Sequence, residues 1–183
     1  GGTTATDGGP DQDRVDVGYH YGAPLAASVS LPPPWMPIFV RQDGAEGNDG
    51  SSPEAARASL RGAVNEAEAG VTVVVGPGVY REGDIRVRNF SGRVTFLADS
   101  LGRWTGDPPG PVVIDASGFD TGFVVFNAGP VTIDGFVVTG SQTAGIQLRA
   151  GADDSVVSNN VVFSNQRRGI KVFGAHRAWI RNN

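Results

Sequence analysis

The stretch VTIDGFVVTGSQTAGIQL, Val131 to Leu148, is echoed by SVVSNNVVFSNQRRGIKV, Ser155 to Val172, at an offset of 24 residues. Ile133 falls on Val157, Val137 on Val161, Gly145 on Gly169, Ile146 on Ile170 and Leu148 on Val172. One unit earlier, Gly122-Phe123-Val124-Val125 falls on Gly145-Ile146-Gln147-Leu148 at an offset of 23. One unit later, Val157-Ser158-Asn159-Asn160 falls on Ile180-Arg181-Asn182-Asn183, again at 23. Self-similarity at this period identifies a solenoid. A unit this short cannot bury its own apolar face, so successive coils must stack at roughly 4.8 Å per coil, with their strands forming parallel sheets.

Stacking makes like residues neighbours. Phe123, Ile146 and Ile170 are expected to form one internal ladder, Val125, Leu148 and Val172 a second, and Asn160 and Asn183 an asparagine ladder at one turn. Upstream, period-two segments Val71-Thr72-Val73-Val74-Val75, Ile85-Arg86-Val87-Arg88, Val94-Thr95-Phe96 and Val112-Val113-Ile114 read as strands. Breaker-rich Gly-Pro-Gly at 76–78 and an insertion from Leu101 to Pro111 separate them.

The rest of the chain divides by composition. Residues 1–24 run from a polar Gly/Thr/Asp segment into the alternating strand Val15-Asp16-Val17-Gly18-Tyr19-His20-Tyr21. Residues 25–37 are a proline-rich linker around Leu31-Pro32-Pro33-Pro34-Trp35-Met36-Pro37, an extended connector. Residues 38–70 hold an entry strand, the polar turn DGAEGNDGSS and a helix expected over about 53–68. Ser51, Ser52, Pro53 and Glu54 supply its start signals, Ala56, Leu60, Ala63, Val64 and Ala67 its buried face, and Gly70 its stop. A solenoid end offers unpaired backbone to other chains, and this helix is placed to cap it. Residues 71–183 are the coils, and no second cap follows the last of them.

The bulk numbers agree. In 183 residues, 27 glycines and 12 prolines call for many tight bends, and no collagen period is present. Fifteen basic and 19 acidic residues give a net charge of −4. They are spread along the chain, so no nucleic-acid partner is expected. There is no cysteine, hence no disulfide or thiolate chemistry, and only two histidines, His20 and His176, are available as imidazole ligands. No membrane-spanning run of apolar residues occurs. The start at Gly1, without an initiator methionine or signal peptide, reads as mature or excised material.

From residue 38 to 183 the chain resembles right-handed parallel β-helix repeat proteins, the group related in fold to pectate lyases. The motifs that carry the resemblance are DGAEGNDGSSPEAARASLRGAV, VTVVVGPGVYRE and the repeated units ending in SNNVVFSN and IRNN. The resemblance implies an all-β right-handed parallel β-helix with coils of about 23–24 residues and an N-terminal capping helix. The group includes polysaccharide lyases, hydrolases, epimerases and adhesins, so fold alone does not assign an activity. DQDRVDVGYHY, residues 11–21, resembles the closing segment of bacterial surface β-helices. Together the two resemblances imply an extracellular or cell-surface protein whose copies, or tandem domains, join head to tail. Val15, Val17, Tyr19, Tyr21 and Trp35 are then the candidate docking side chains.

Alternation also nominates an outer face. With Ile146 and Leu148 inside, Val124, Gln147 and Lys171 form one outward stripe, and Phe126, Arg149 and Phe173 a second. Neither stripe has the paired carboxylates that glycoside hydrolysis requires, so no catalytic residue is assigned. Asp115, Asp120, Asp134, Asp153 and Asp154 read as turn carboxylates. Two aromatics flanking a guanidinium suit a sugar ring or a second subunit, which makes Phe126, Arg149, Phe173, Gln147 and Lys171 the candidate contacts. Asp7, Asp11, Asp13 and Asp16, and separately Asp43, Glu46, Asn48 and Asp49, have the oxygen-rich look of a calcium loop without its full pattern. They are read as polar turns, and no cofactor is expected, calcium being the one ion they could take. The first functional expectation is a non-catalytic structural protein stacking into a rod or filament. The alternative is a polysaccharide lyase, hydrolase or glycan-binding module.

Overall fold

A computed structural model describes residues 36–183 of the chain. The docking candidates Val15, Val17, Tyr19, Tyr21 and Trp35, and the first acidic turn at Asp7 to Asp16, lie outside the described residues. The elements are β1 (Met36–Val40), α1 (Leu60–Glu66), β2 (Val71–Val75), β3 (Gly78–Tyr80), β4 (Ile85–Val87), β5 (Val94–Ala98), β6 (Val112–Asp115), β7 (Thr121–Val125), β8 (Val131–Asp134), β9 (Val137–Thr139), β10 (Ala144–Arg149), β11 (Val156–Ser158), β12 (Val161–Val162), β13 (Arg168–Phe173) and β14 (Trp179–Arg181).

These strands form three sheets in the orders β1-β2-β5-β8-β11-β14, β4-β7-β10-β13 and β3-β6-β9-β12. Every pairing is parallel, and each coil gives one strand to each sheet in turn. The register is the one the repeat requires: Phe123 pairs with Ile146 and Ile146 with Ile170, while Val157 pairs with Ile133 on one side and Ile180 on the other. Asn160 and Asn183 form the expected ladder, with Asn160 Nδ2 donating to Asn183 Oδ1 at 2.9 Å.

The inward side chains of the three sheets make one core. Phe96, Phe123 and Phe136 lie at its centre, surrounded by Ile85, Ile114, Ile133, Ile146 and Leu148, all fully buried. The recurring glycine near the start of β7 and β10 reflects crowding. A Cβ on Gly122 would sit 2.5 Å from the Gly145 carbonyl oxygen, and one on Gly145 would sit 2.6 Å from a Val162 methyl. At the corner after β8, β11 and β14 the chain turns through a left-handed residue, Gly135, Asn159 and Asn182 respectively.

The helix is shorter than the sequence predicts, beginning at Leu60 instead of 53. Ser51 to Glu54 are spent on a turn in which the Ala55 N–H donates to the Ser52 carbonyl at 3.1 Å. The chain then runs parallel to β1, with Arg57 N–H donating to Phe39 O and Arg41 N–H to Arg57 O, both at 2.9 Å. Backbone already committed to β1 cannot also be helical. The N-cap is therefore Ser59, whose hydroxyl accepts from Gly62 N–H at 3.0 Å. Leu60, Ala63, Val64 and Ala67 are buried as expected, in the main core. Ala56 is buried too, but in a separate cluster with Phe39 and Val74, against which Trp104 packs.

Two acidic residues secure this end of the coil stack. The buried carboxylate of Glu82 accepts from Leu60 N–H at 2.8 Å and Arg61 N–H at 3.0 Å, fixing the start of α1. Loss of hydration on burial raises its pKa, against the pull of those two N–H groups. Asp99, also buried, accepts from the N–H groups of Arg103, Trp104 and Thr105 at 2.8–2.9 Å and folds the 101–111 insertion. Arg41 pins the far side of that insertion through Asp107, with Nη2 to Oδ1 at 2.5 Å. In the acidic turn, Asp49 accepts from Ser51 N–H and Asn48 donates to Ala56 O, both at 2.9 Å.

Candidate functional site

The outer face of β4-β7-β10-β13 carries the nominated residues. Arg86, Val124, Gln147 and Lys171 are in register across the four strands. Beside them runs a second row, in which Arg149 pairs with Phe173 and Arg88 lies over the Phe126 ring, 5.9 Å from its centroid. Arg149 is exposed, Phe173 is 71% exposed and Phe126 is half-buried. Lys171 Nζ sits 5.7 Å from the centroid of the Phe173 ring. Gln147 faces outward but is only 3% exposed, because Arg149 folds over it and donates twice to its Oε1, at 2.7 and 3.0 Å. Val124, 4% exposed, is likewise covered by its neighbours and offers little to a ligand.

The structure extends this face beyond the residues the sequence nominates. A groove of about 180 Å³ brings Arg86, Arg88, Phe126 and Arg149 together with Asp84 and Asp120 at one edge. Adjoining it, a cleft of about 220 Å³ is lined by Arg61 from α1, Arg86, Arg88, Asp84 and Phe119. Charges spread along the sequence are thus brought onto one surface by coil stacking. The strand pattern Ile85-Arg86-Val87-Arg88 is visible in the sequence, but its register is not. Ile85 pairs with Phe123, 38 residues on, because the 101–111 insertion lengthens that coil past the 23–24-residue period.

The two carboxylates at the groove edge differ in their commitments. Asp84, in a left-handed conformation at φ 48°, accepts from Thr121 N–H at 3.1 Å and from its hydroxyl at 3.0 Å. Its second oxygen lies 3.9 Å from Arg86 Nη2. Asp120 lines the groove beside it. The other acidic residues nominated as turn groups are bonded within their own corner or to the next coil. Asp115 binds Ser117, and Asp134 binds Ser158 and Asn159; Asp153 accepts from His176 N–H, and Asp154 pairs with Arg177. The hydrogen bonds to Ser117 and Arg177 hold the Asp115 and Asp154 carboxyls below the usual range.

Residues 110–183 match the family model described as the right handed beta helix region. No curated protein and no solved structure matches the chain. With three all-parallel sheets continuing the same coil geometry back to β1, the described residues form a right-handed parallel β-helix.

Proposed function

We propose that this chain is a non-catalytic extracellular module that binds polysaccharide along the outer face of β4-β7-β10-β13. The observation that supports this reading is the row Arg88, Phe126, Arg149 and Phe173, in which cation and aromatic alternate strand by strand. Phe126 and Phe173 lie two strands apart, about 9–10 Å, and offer successive apolar platforms to sugar rings. The exposed Arg149 guanidinium between them can donate to hydroxyl or carboxylate oxygens. One oxygen of Asp84 accepts twice from Thr121 and the other faces Arg86, which argues against a pair of free carboxyl groups acting on one glycosidic bond. In affinity electrophoresis against neutral and uronate polysaccharides, the double variant Arg149→Ala/Phe173→Ala should bind about tenfold more weakly than the parent. Unchanged retardation would remove the proposal, and stronger competition by duplex DNA than by any glycan would replace it with nucleic-acid binding.

A second reading, coil-on-coil stacking into a rod, is favoured by a different observation. Val172 and Ile180 occupy ladder positions that are fully buried one coil earlier, at Leu148 and Val157, yet they are 44% and 42% exposed. A further coil seated on β12, β13 and β14 would cover them, supplied by more of the same polypeptide or by a second copy. Light scattering of the chain over a wide concentration range separates these sources. Mass that grows with concentration supports head-to-tail copies, and a constant monomer mass removes self-assembly.

A further inference from the structure

The geometry points to a binding site for a dianionic tetrahedral oxyanion, a phosphate or sulfate group, in the cleft between α1 and β4. This goes beyond polysaccharide binding on the open face and does not depend on it. Arg61, Arg86 and Arg88 line the cleft with a single acidic residue, Asp84, so its lining carries a formal surplus of two positive charges. A lone carboxylate is matched by one guanidinium fork, whereas three arginine side chains reaching into one cleft can supply donors to three oxygens of a tetrahedral group.

Two of the three cations are held in place without being neutralised. Arg61 lies 5.9 Å from the Phe119 ring centroid and Arg88 lies 5.9 Å from that of Phe126. Among the described residues neither makes an ion pair. The backbone of Arg61 is fixed by the buried Glu82 carboxylate, so the base of its side chain is set before any ligand arrives. Arg86, with its side chain 64% exposed, is the one that faces a carboxylate, 3.9 Å from Asp84. At about 220 Å³ the cleft has room for an oxyanion together with part of the molecule that bears it.

Titration calorimetry on the full chain at low salt tests the site, with inorganic phosphate, inorganic sulfate and acetate as probes. Phosphate and sulfate should bind with one-to-one stoichiometry, and acetate about tenfold more weakly. Arg61→Ala/Arg88→Ala should weaken phosphate binding by about a hundredfold, a factor of about ten for each guanidinium, with an unchanged thermal melt. Arg167→Ala/Arg168→Ala, which removes two exposed cations outside the cleft, should leave it intact. No heat with the parent, equal binding of acetate, or equal weakening by the Arg167/Arg168 pair would each overturn the site. Arg149→Ala/Phe173→Ala should retain phosphate affinity, so that failure of the polysaccharide reading and failure of this one are separable. A sugar phosphate and a sulfated polysaccharide, titrated side by side, identify the source of the group by which binds more tightly.

Discussion

Replacing Phe123 with alanine is expected to lower the unfolding free energy by about 3–5 kcal/mol. Its ring is fully buried and stands edge-on to two others, with centroids 5.7 Å from Phe96 and 5.4 Å from Phe136. Those partners come from different coils and different sides of the interior, so one side chain joins two layers of the stack. Each edge-to-face pair adds about 0.5–1.5 kcal/mol to what the buried area supplies. The vacated space cannot collapse easily, because β7 is hydrogen-bonded to β4 on one side and β10 on the other. Urea unfolding followed by circular dichroism measures the loss. A change below about 1 kcal/mol would show that the aromatic trio is not what ties the coils together.

The contrast between what can and cannot be read from the sequence has a physical origin. Residues 122–183 are legible in detail because an uninterrupted period makes every residue its neighbour's equivalent, and pairings such as Ile146 with Ile170 follow by counting. The start of the helix is not legible. Ser51, Ser52, Pro53 and Glu54 are good local signals, but they lose to the hydrogen bonds that tie Arg57 to Phe39 and Arg41 along β1, which no local rule can foresee.

The candidate face is only partly legible, for the same reason. Phe126, Arg149, Phe173, Gln147 and Lys171 lie within the regular period. Arg86 and Arg88 sit one coil further back, across the insertion that Asp99 folds and Asp107 anchors, so counting by 23 or 24 misplaces them. Arg61 and Phe119 come from a helix and a turn, and meet the face only through packing of α1 beside β4. Alternation gives the direction of Gln147 correctly but not its burial, since that depends on where the long Arg149 side chain lies.

Asn160→Ala is the second large loss, expected at about 2–5 kcal/mol, and its cause is polar instead of apolar. The side chain is only 2% exposed, and it serves two backbone groups of the preceding coil. Its Oδ1 accepts from Phe136 N–H at 2.9 Å, and its Nδ2 donates to the Ile133 carbonyl at 3.1 Å. Alanine leaves both groups buried without partners, at about 1–3 kcal/mol each. Asn160→Asp is an informative companion, because it retains an acceptor for Phe136 but turns negative oxygen toward the Ile133 carbonyl and Asn183 Oδ1. It too should destabilise. Asn183 has the equivalent role in the following coil, with Nδ2 donating to the Val157 carbonyl at 2.9 Å, but it is exposed, so water can replace it. Asn183→Ala should therefore cost about 1 kcal/mol or less. Urea unfolding of the two alanine variants side by side gives the ordering, which matters more than either value. Equal losses at the two positions would mean that burial does not set the strength of the ladder, and that each asparagine acts only on its own turn.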